Sequence, residues 1–528
     1  MYHSSLISGP RLWISTSSSC SQLDRRCDNC DCPGACPEPT TCSEDKHQVE
    51  TLLQRVSSGS IWETSLNQDL FLDSLGEYTV AASATEEPVV VLDGQASQLL
   101  SVLRASSTLE ELRTRFSDWH DGTLEQATAV LLAAGVLRSY PPVEQQSTTP
   151  REGLRTLTAW LHLTHQCNLS CRYCYVPRTD QRMDHPTAKR SAEAVYRSAV
   201  AHNCERVRLK YAGGEPTLNL DALRVAQEQA ERLSAQTGIG LETVVLTNGT
   251  LLSDDLLDFL LAHSIQVMVS LDGVGPYQDA QRPLIGRKGS SFELTRDALD
   301  RLLRRGISPH VSVTITGQSL AGLPDLVAFL LDRELRFSFN FYREPDGFPQ
   351  SGPLSFNSEE IISGLRQAFH LIEQKLPRYS LLSYLADRAD LGIRRLYPCG
   401  VGQNYLVIDS NGEISKCQMD MAHPVTTIDT DDPLAHIMAD TNGIQNLAVD
   451  EKECRECIWR YRCAGGCPRL TFRRRGRYDA KSPLCEVYRA ILPEIVRLEA
   501  LRLVRYEEPW DFDVHRASLL ERAVCQSY

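Results

Sequence analysis

The chain has 528 residues, 42% of them hydrophobic and 23% charged, which is typical of a soluble globular protein with two or three domains. Its formal net charge of −13 argues against general binding to nucleic acid or to an anionic membrane. No stretch approaches the roughly 20 apolar residues that span a bilayer, and the first residues lack a basic segment followed by an apolar run. We therefore expect a cytoplasmic protein without a secretory signal.

Eighteen cysteines are the most informative part of the composition. Cytoplasmic thiols stay reduced, so clustered cysteines there indicate metal binding or catalysis more often than disulfides. Six lie between Cys20 and Cys42, three lie within residues 167–174, and seven lie between residues 399 and 485.

Residues 1–60 are rich in Cys, Ser and Pro and are predicted to form a largely irregular tail. The spacing of the six cysteines between Cys20 and Cys42 matches no metal site that we can name. A flexible tail, an additional metal site and a fused substrate-like segment all remain open.

Residues 61–142 are predicted to form a small α+β domain, followed by a linker over residues 143–156. Two short strands are predicted within residues 77–82 and 86–93. Helical spacing of apolar residues follows over residues 94–105, 107–116 and 123–137. Ser107 or Thr108 is the expected N-cap of the second helix.

Between residues 157 and 345, strand-like and helix-like segments alternate, which predicts a parallel sheet with right-handed crossovers, curled into a full or partial barrel. The six predicted strands span residues 157–164, 206–212, 241–247, 265–272, 310–316 and 335–342. Beyond them we expect a helical connector (346–395), a cysteine-rich domain (396–490) and a C-terminal helical extension (491–528). Functional loops of such sheets lie at the carboxyl ends of the strands.

Cys167, Cys171 and Cys174 directly follow the first of these strands, in HQCNLSCRYC. A structural zinc site normally has four protein ligands, and no fourth ligand is evident nearby. Three thiolates suit a 4Fe–4S cluster that leaves one iron open for a substrate or cofactor.

The spacing Cys-x3-Cys-x-Tyr-Cys resembles the signature of radical S-adenosylmethionine (SAM) enzymes. YAGGEPTL, TNG and SLDG end the second, third and fourth predicted strands, in the order found in that family. The resemblance implies a partial (β/α)6 barrel that binds a 4Fe–4S cluster and SAM, and that cleaves SAM to a 5′-deoxyadenosyl radical.

The resemblance also implies roles for individual residues. Tyr173 would pack beside adenine, Glu215 would accept a hydrogen bond from the methionine amine, and Arg282 would pair with its carboxylate. Asn248 and Ser270 would contact ribose or that carboxylate. The implied SAM-binding residues are Tyr173, Gly213, Gly214, Glu215, Pro216, Thr247, Asn248, Ser270 and Arg282.

The ordered spacing of the seven later cysteines resembles the SPASM domain of peptide-modifying radical SAM enzymes and implies two auxiliary iron–sulfur clusters; structural zinc is the alternative. The implied ligand sets are Cys399, Cys417 and Cys467 for the first cluster, and Cys454, Cys457, Cys463 and Cys485 for the second. Residues 392–398 contain no cysteine, so the first cluster would have an open iron, a non-cysteine ligand or fewer irons.

The pattern of residues 61–142 resembles the RiPP recognition element, a winged-helix domain that binds leader peptides as an added strand. We expect leader binding near Val89, Val90 and Val91.

Together these resemblances predict a RiPP maturase that binds a ribosomally made precursor peptide and installs a thioether, a C–C or C–O crosslink, or another oxidative change. The expected electron donor is a flavodoxin or ferredoxin, and no nucleic-acid or membrane partner is expected. Alternatives are an anaerobic sulfatase-maturing enzyme, a tetrapyrrole-modifying radical SAM enzyme and a non-enzymatic iron–sulfur carrier or peptide scaffold. Sulfatase maturases usually carry Asp after the cysteine that corresponds to Cys417, where this chain has Gln418.

Overall fold

The computed structural model describes residues 10–15, 49, 51–84, 89–119, 122–142, 155–286, 288–344 and 352–511. Predictions for residues 16–48, which include the cysteines from Cys20 to Cys42, and for residues 143–154 lie outside this part of the chain. The same holds for residues 512–528. Across the described residues, no helix is both long and apolar enough to cross a membrane.

Among its described residues, the N-terminal region contains two antiparallel sheets and four helices. Its strands, with one from the C-terminal end, are β1 (Arg11–Ile14), β2 (Glu63–Leu66), β3 (Leu70–Leu75), β4 (Tyr78–Ser83), β5 (Val89–Leu92), β6 (Ser107–Thr108), β7 (Leu137–Tyr140) and β17 (Trp510–Asp511). Its helices are α1 (51–57), α2 (Gly94–Val102), α3 (Leu109–Arg115) and α4 (Thr123–Ala133). One sheet has the order β17-β1-β5-β4-β3, and the other has the order β6-β2-β7.

The two predicted strands and three predicted helices of this region are confirmed. Thr108 is the N-cap of α3: its hydroxyl accepts a hydrogen bond from the Glu111 backbone N–H at 3.2 Å. The Glu111 carboxylate accepts one from the Thr108 backbone N–H at 2.9 Å, which completes a capping box. This reciprocal pair explains why the helix begins at Leu109.

The segment that was predicted to be an irregular tail contains two regular elements, β1 and α1. Both are stabilised by tertiary packing, since Leu12 of β1 and Leu52 and Val56 of α1 are buried in one apolar cluster. Such short segments carry too little periodicity to be recognised without their partners.

The central region contains a mixed nine-stranded sheet with the order β13-β12-β11-β10-β9-β8-β14-β15-β16. Its strands are β8 (Thr156–His162), β9 (Arg206–Ala212), β10 (Gly240–Thr247), β11 (Gln266–Ser270), β12 (His310–Ile315), β13 (Arg336–Phe341), β14 (Tyr405–Ile408), β15 (Glu413–Ser415) and β16 (Thr426–Thr427). The first six are parallel neighbours in chain order, which confirms the six predicted strands.

Helices follow these strands and cover one face of the sheet. They are α5 (His185–Ala201), α6 (Leu220–Thr237), α7 (Asp254–Ala262), α8 (Pro276–Gln281), α9 (Ser291–Arg304) and α10 (Leu323–Asp332), with 3₁₀ turns at Pro216–Asn219 and Leu320–Gly322. Along β12, Val311, Val313 and Ile315 are buried, while the residues between them are half-buried. This alternation packs one side of each strand on the helices and leaves polar side chains on the other side.

The remaining helices are α11 (Ser358–Gln374), α12 (Pro433–Ala439), α13 (Arg460–Cys463), α14 (Pro468–Arg475) and α15 (Cys485–Tyr506), with a 3₁₀ turn at Val449–Glu451. The predicted helical connector is therefore helical only through Gln374. Pro377 follows closely, and a proline disfavours helical conformation in the residue before it.

Two of the predicted domain boundaries do not separate structural units. Strand β14 pairs in parallel with β8, so the cysteine-rich region extends the same sheet as the βα units. Helix α15 begins at Cys485 and runs unbroken past residue 490, and it packs against both α11 and β5. The chain thus joins its N-terminal, central and C-terminal regions through shared elements.

Candidate functional site

The cysteine triad lies in the loop after β8 and contacts the glycine pair that follows β9. The Gly214 N–H donates to the Thr164 carbonyl at 2.7 Å, and the Glu215 N–H donates to the Gln166 carbonyl at 2.8 Å. A Cβ added at Gly214 would lie 2.3 Å from the Gln166 carbonyl oxygen. Glycine is therefore required here by the close approach of two loop backbones.

Glu215 connects the ends of β9 and β10. Its buried carboxylate accepts hydrogen bonds from the Thr247 hydroxyl at 2.7 Å and from the Asn248 N–H at 2.8 Å, and Thr217 donates to it twice. Burial raises the pKa of Glu215, and these hydrogen bonds oppose that rise. The carboxylate thus holds the TNG loop beside the GGEP loop, and its contact with a SAM amine stays a prediction.

Asn248 extends this connection to the triad. Its amide nitrogen lies 3.9 Å from the Cys167 sulfur and donates to the Asn168 side chain at 2.8 Å. The Leu169 backbone N–H points at the same sulfur from 3.4 Å. Two N–H donors aimed at one sulfur would stabilise a thiolate or a metal-bound thiolate at Cys167.

Tyr173 and Arg282 share one carboxylate oxygen of Asp272. The Tyr173 hydroxyl donates to it at 2.6 Å, and Arg282 Nε donates to it at 2.5 Å. The guanidinium also lies over the Tyr173 ring, 5.4 Å from its centroid. The buried Arg282 is therefore ion-paired within the protein, and its predicted pairing with a SAM carboxylate remains untested.

Asp272 itself was missed by sequence reasoning, although it lies within the quoted SLDG motif. Its second oxygen accepts a hydrogen bond from the Thr314 N–H at 2.7 Å, which ties the end of β11 to β12. Burial lowers the pKa of Arg282, but the charges of Asp272, Tyr173 and Cys171, with the hydrogen bond to Asp272, together outweigh burial and raise the pKa overall. The signal that would have identified Asp272 is a carboxylate in a buried segment, because such a group requires a partner.

The other predicted SAM-binding residues lie at the same edge of the sheet. Thr247 is opposite Val269 in the β10–β11 register, which places Ser270 beside Asn248. Pro216 begins the 3₁₀ turn after the GGEP loop and is buried. The structure therefore brings the predicted residues to the carboxyl ends of β8 to β11.

Comparison with known proteins agrees with this geometry. Residues 161–330, which include the triad and the three loops, match the Radical SAM superfamily. These residues form a radical SAM domain.

Relatives extend over more of the chain than the radical SAM domain. Antilisterial bacteriocin subtilosin biosynthesis protein AlbA of Bacillus subtilis is 22% identical over 379 residues, 70% of this chain and 78% of AlbA. A serine-type anaerobic sulfatase-maturating enzyme of Klebsiella pneumoniae is 22% identical over 331 residues, 57% of this chain and 79% of that enzyme. The solved structure of native anSMEcpe with bound AdoMet matches with a TM-score of 0.54 at 16% identity, covering 65% of this chain and 99% of that one. At this identity the structural match shows a shared fold.

Beyond the radical SAM domain, three cysteines lie near one another. Burial, together with the neighbouring charges of Cys467 and Cys399, raises the pKa of Cys417 to about 12. The Gln418 side chain lies 3.9 Å from the Cys417 sulfur and accepts a hydrogen bond from the Tyr405 hydroxyl at 3.2 Å. This spatial group coincides with the predicted ligands of the first auxiliary cluster.

The other four cysteines form a second group. Burial, together with the charges of Cys454, Cys457 and Cys485, raises the pKa of Cys463 to about 12. Their grouping coincides with the second predicted ligand set. Ligation by either group stays a prediction.

Cations surround both of these cysteine groups. The Lys452 side chain is only 4% exposed. Burial lowers its pKa, and the charges of the nearby Cys454 and Cys399 partly oppose that effect. Arg343 Nε and Arg395 Nε are buried and have no hydrogen-bond partner within the described residues. A buried anionic group beside them would satisfy both donors.

The donor sets suit iron–sulfur clusters, because a cluster binds each thiolate through a different iron. The thiols, the N–H groups aimed at sulfur and the neighbouring cations are therefore suited to clusters.

Two further residues near the site were not predicted. Tyr175 lies near Cys174 of the triad and near Cys417 of the first auxiliary group. Burial, and then the charges of these two cysteines, raise the pKa of Tyr175. Lys210 pairs in register with Trp160 on the half-buried side of the sheet, and burial lowers its pKa to about 8. Polar residues at alternate positions of RVRLKYA were the signal available for Lys210.

The predicted leader-binding edge near Val89, Val90 and Val91 is not an edge. Strand β5 lies between β1 and β4, and all three valines are buried. The prediction was wrong because β1 comes from a part of the chain far away in sequence. In the described structure, β3 has a partner on one side only.

Proposed function

We propose that this protein is a radical SAM maturase that oxidatively modifies a ribosomally synthesised peptide. The observation that carries the proposal is the connection from Cys167 through Asn248 to Glu215, which joins the triad to two SAM-type loops. Such a connection has no use in an electron carrier or a passive scaffold.

The proposed architecture has three functional parts. The six βα units would form a partial (β/α)6 barrel, residues 396–490 would form a SPASM domain, and residues 61–142 would form a winged-helix recognition domain. The similarity to AlbA, which covers 70% of this chain, supports an architecture larger than the radical SAM domain alone.

The chain's own residues would bind and orient the reactants. Cys167, Cys171 and Cys174 would hold a 4Fe–4S cluster, while the loops after β9, β10 and β11 would position SAM. With both groups bound, the site would supply a 5′-deoxyadenosyl radical that takes a hydrogen atom from the peptide. The Asp272–Arg282 pair would keep Tyr173 in one orientation beside the bound nucleoside.

The two C-terminal cysteine groups would hold auxiliary iron–sulfur clusters that accept the electron left after hydrogen abstraction. A flavodoxin or ferredoxin would supply the reducing electron. Lys452 and the guanidinium groups near Cys399 and Cys467 would offset the negative charge of thiolate-ligated clusters.

The proposal that the substrate is a peptide rests on relatives and on the N-terminal region. AlbA takes part in subtilosin biosynthesis, and subtilosin is a bacteriocin. The five-stranded N-terminal sheet contacts the cysteine-rich region directly, because Phe71 of β3 packs on Trp459 with ring centroids 5.3 Å apart. A peptide held by this sheet would therefore lie beside the clusters.

Anaerobic reconstitution with iron, sulfide, SAM and dithionite tests the proposal. We expect 5′-deoxyadenosine from the wild-type protein and its complete loss in Cys174→Ala. Cys204→Ala is the matched control, because Cys204 is a buried cysteine outside the three groups. Production of 5′-deoxyadenosine by Cys174→Ala at the wild-type rate would contradict the assignment of the triad.

Sulfatase maturation is the second candidate, since the Klebsiella pneumoniae sulfatase-maturating enzyme is a relative. The residue after Cys417 argues against it: Gln418 is a neutral amide that accepts from Tyr405, and it cannot act as a carboxylate base. Formation of formylglycine in a sulfatase-derived peptide would overturn the preferred function.

A further inference from the structure

Trp160 and Lys210 lie side by side in the central sheet, on the side of the strands opposite the helices. They are paired in the β8–β9 register. In both strands the residues directly before and after them are buried, while Trp160 and Lys210 keep part of their surface exposed. Paired residues of neighbouring strands have their side chains on the same face, and such strands lie about 4.8 Å apart. The two side chains are therefore neighbours that a ligand can reach.

Each of these side chains carries a hydrogen-bond donor that the protein leaves unused. The Trp160 indole N–H is buried and has no hydrogen-bond partner among the described residues. No hydrogen bond or ion pair joins the Lys210 ammonium group to any residue that the structure describes. An unpaired buried donor costs free energy, so a neighbouring pair of unused donors indicates an acceptor that binds from outside the chain.

Lys210 also lacks a counter-charge. Within the described residues, the charged groups that act on it are Arg208 and Arg388, which are both cations. Burial, together with these two charges, lowers the pKa of Lys210 to about 8, so the ammonium group still carries its charge at pH 7. Glu242 on β10 pairs instead with Arg208 at 2.7 Å and with Arg206 at 3.1 Å. A half-buried cation in such surroundings favours an anionic ligand.

Arg388 adds a second cation to this place. Its backbone φ is +57°, and its carbonyl accepts a hydrogen bond from the Arg395 side chain at 2.8 Å. A non-glycine residue in the left-handed region is strained, and such strain is concentrated at ligand-binding and catalytic sites. The Arg388 guanidinium lies 3.9 Å from a carboxylate oxygen of Asp387, which is itself ion-paired with Arg343. One carboxylate therefore serves two guanidinium groups, which leaves Arg388 able to bind a further anion.

The two cations are near both the triad loop and the first auxiliary cysteine group. The charge of Arg388 acts on Lys210, on Tyr175 in the triad loop and on Cys399. Lys210 is three residues before Gly213, about 10 Å along the strand. Under the proposed function, the reacting part of the peptide would lie in this space.

On the basis of the proposed function, we propose that Lys210, Trp160 and Arg388 bind a carboxylate group of the peptide substrate. A carboxylate has two acceptor oxygens, which match the ammonium and indole donors, and its charge balances the cations. The site therefore selects peptides that present a carboxylate close to the residue that loses hydrogen. SAM carries a carboxylate as well, so the test is carried out with SAM bound.

Two small probes that differ in charge test this assignment. N-acetylglutamate N-methylamide and N-acetylglutamine N-methylamide are titrated separately into the reconstituted, SAM-saturated wild-type protein by anaerobic calorimetry without reductant. The glutamate probe should bind at least about 10-fold more tightly, because it makes a hydrogen bond between charged groups that the glutamine probe lacks. Equal affinity of the two probes, or no binding of the glutamate probe, would overturn the inference.

Further arms of the titration identify the source of the carboxylate. N-acetylglutamine carries only a chain-terminal carboxylate, so its affinity relative to the glutamate probe shows whether the site takes a side chain or the C-terminus of a peptide. A preference for the glutamate probe that is present without SAM and disappears with SAM would assign the site to the carboxylate of SAM. That result would overturn the inference.

Variants assign the preference to Lys210. Lys210→Met removes the charge while nearly keeping the side-chain length, and it should abolish the preference for the glutamate probe, whereas Lys210→Arg should retain the preference. Lys189→Met, at an exposed position of α5, is the matched control and should behave as the wild type does. A preference that survives in Lys210→Met would contradict the role of Lys210.

Thermal unfolding gives a second readout of Lys210→Met. Removal of an uncompensated, half-buried charge should raise the unfolding midpoint of the protein without probe. The glutamate probe should raise the midpoint of the wild type but not that of the variant. A lower midpoint in Lys210→Met would mean that the lysine has a structural partner, contrary to the inference.

The carboxylate site and the radical chemistry are tested separately. Selective binding of the glutamate probe by wild-type protein that forms no 5′-deoxyadenosine with dithionite would support the carboxylate site and overturn the radical chemistry. Formation of 5′-deoxyadenosine by wild-type protein that shows no preference between the probes would support the radical chemistry and overturn the carboxylate site.

Discussion

Arg282 at the triad and Lys452 at the C-terminal cysteines differ in how their buried charges are balanced. At the triad, the buried cation Arg282 is neutralised by Asp272 at 2.5 Å, and the buried Glu215 is satisfied by hydrogen bonds. At the C-terminal cysteines, Lys452 is also buried. Its ammonium group donates a hydrogen bond to the Ala464 carbonyl at 3.3 Å, and no carboxylate lies at hydrogen-bond distance among the described residues.

This difference matches two kinds of centre. A site that must accept SAM and release its products has to balance its charges without the ligand, because an isolated buried charge is costly. A permanently bound, thiolate-rich cluster carries its own negative charge, and buried cations around it compensate that charge. Under the proposed function, the contrast between Arg282 and Lys452 would distinguish an exchangeable site from a permanent one.

The strongest test of this comparison is Asp272→Asn, which leaves Arg282 buried without its counter-charge. We expect a loss of about 3–5 kcal/mol in the free energy of unfolding, together with loss of SAM cleavage. Urea denaturation and 5′-deoxyadenosine assays measure the two effects.

The matched control is Asp297→Asn, because the Asp297 side chain is 63% exposed and pairs with Arg296 at the surface. It should change stability by less than about 1 kcal/mol. Equal stability of the two variants would contradict a charge-balanced triad site.

His162 offers a second test, by pH. It is fully buried on β8, and neither ring nitrogen has a hydrogen-bond partner among the described residues. Burial and, to a smaller extent, the neighbouring His165 lower its pKa to about 3, so the ring adds no cation near the triad. Between pH 6.5 and 3 the unfolded chain binds a proton that the folded chain does not, so stability falls as the pH falls.

From pH 7 to pH 5 this group should remove about 2 kcal/mol from the free energy of unfolding. His162→Leu should abolish that part of the pH dependence, as measured by urea unfolding at both pH values. His436→Gln, at an exposed position of α12, should leave it unchanged. An unaltered pH dependence in His162→Leu would mean that the ring is not held neutral.

The central region could be predicted from sequence because each element carries a local signal. In strands β8 to β13, apolar and polar residues alternate, or apolar residues form a short run that is bounded by turn residues. The cysteine triad directly follows β8, the first of these strands. Thr247 and Ser270 could be placed near the triad because functional residues of a parallel sheet lie at the carboxyl ends of its strands.

One prediction was wrong and one ion pair was missed, and both depend on how the chain folds back on itself. The burial of Val90 on both sides depends on β1, which lies about 80 residues earlier and has only four residues. The engagement of Arg282 by Asp272 depends on how the short helix α8 folds back between them. Neither contact leaves a periodic pattern, so sequence reasoning placed Val90 at an open edge and did not find the Asp272 partner of Arg282, whose contact with SAM stays a prediction.

The smallest expected effect concerns the proposed auxiliary clusters. Lys452→Met removes a buried cation beside Cys454 while keeping the volume of the side chain. Loss of a supporting residue typically weakens metal binding by about 10-fold or more, so iron and sulfide per chain should fall, and reduction of the auxiliary clusters should become harder.

Lys189→Met on the exposed face of α5 is the control. Since the charges at the triad are balanced without Lys452, SAM cleavage per remaining triad cluster should be unchanged; a parallel loss of triad iron would show that the two centres share one charge environment.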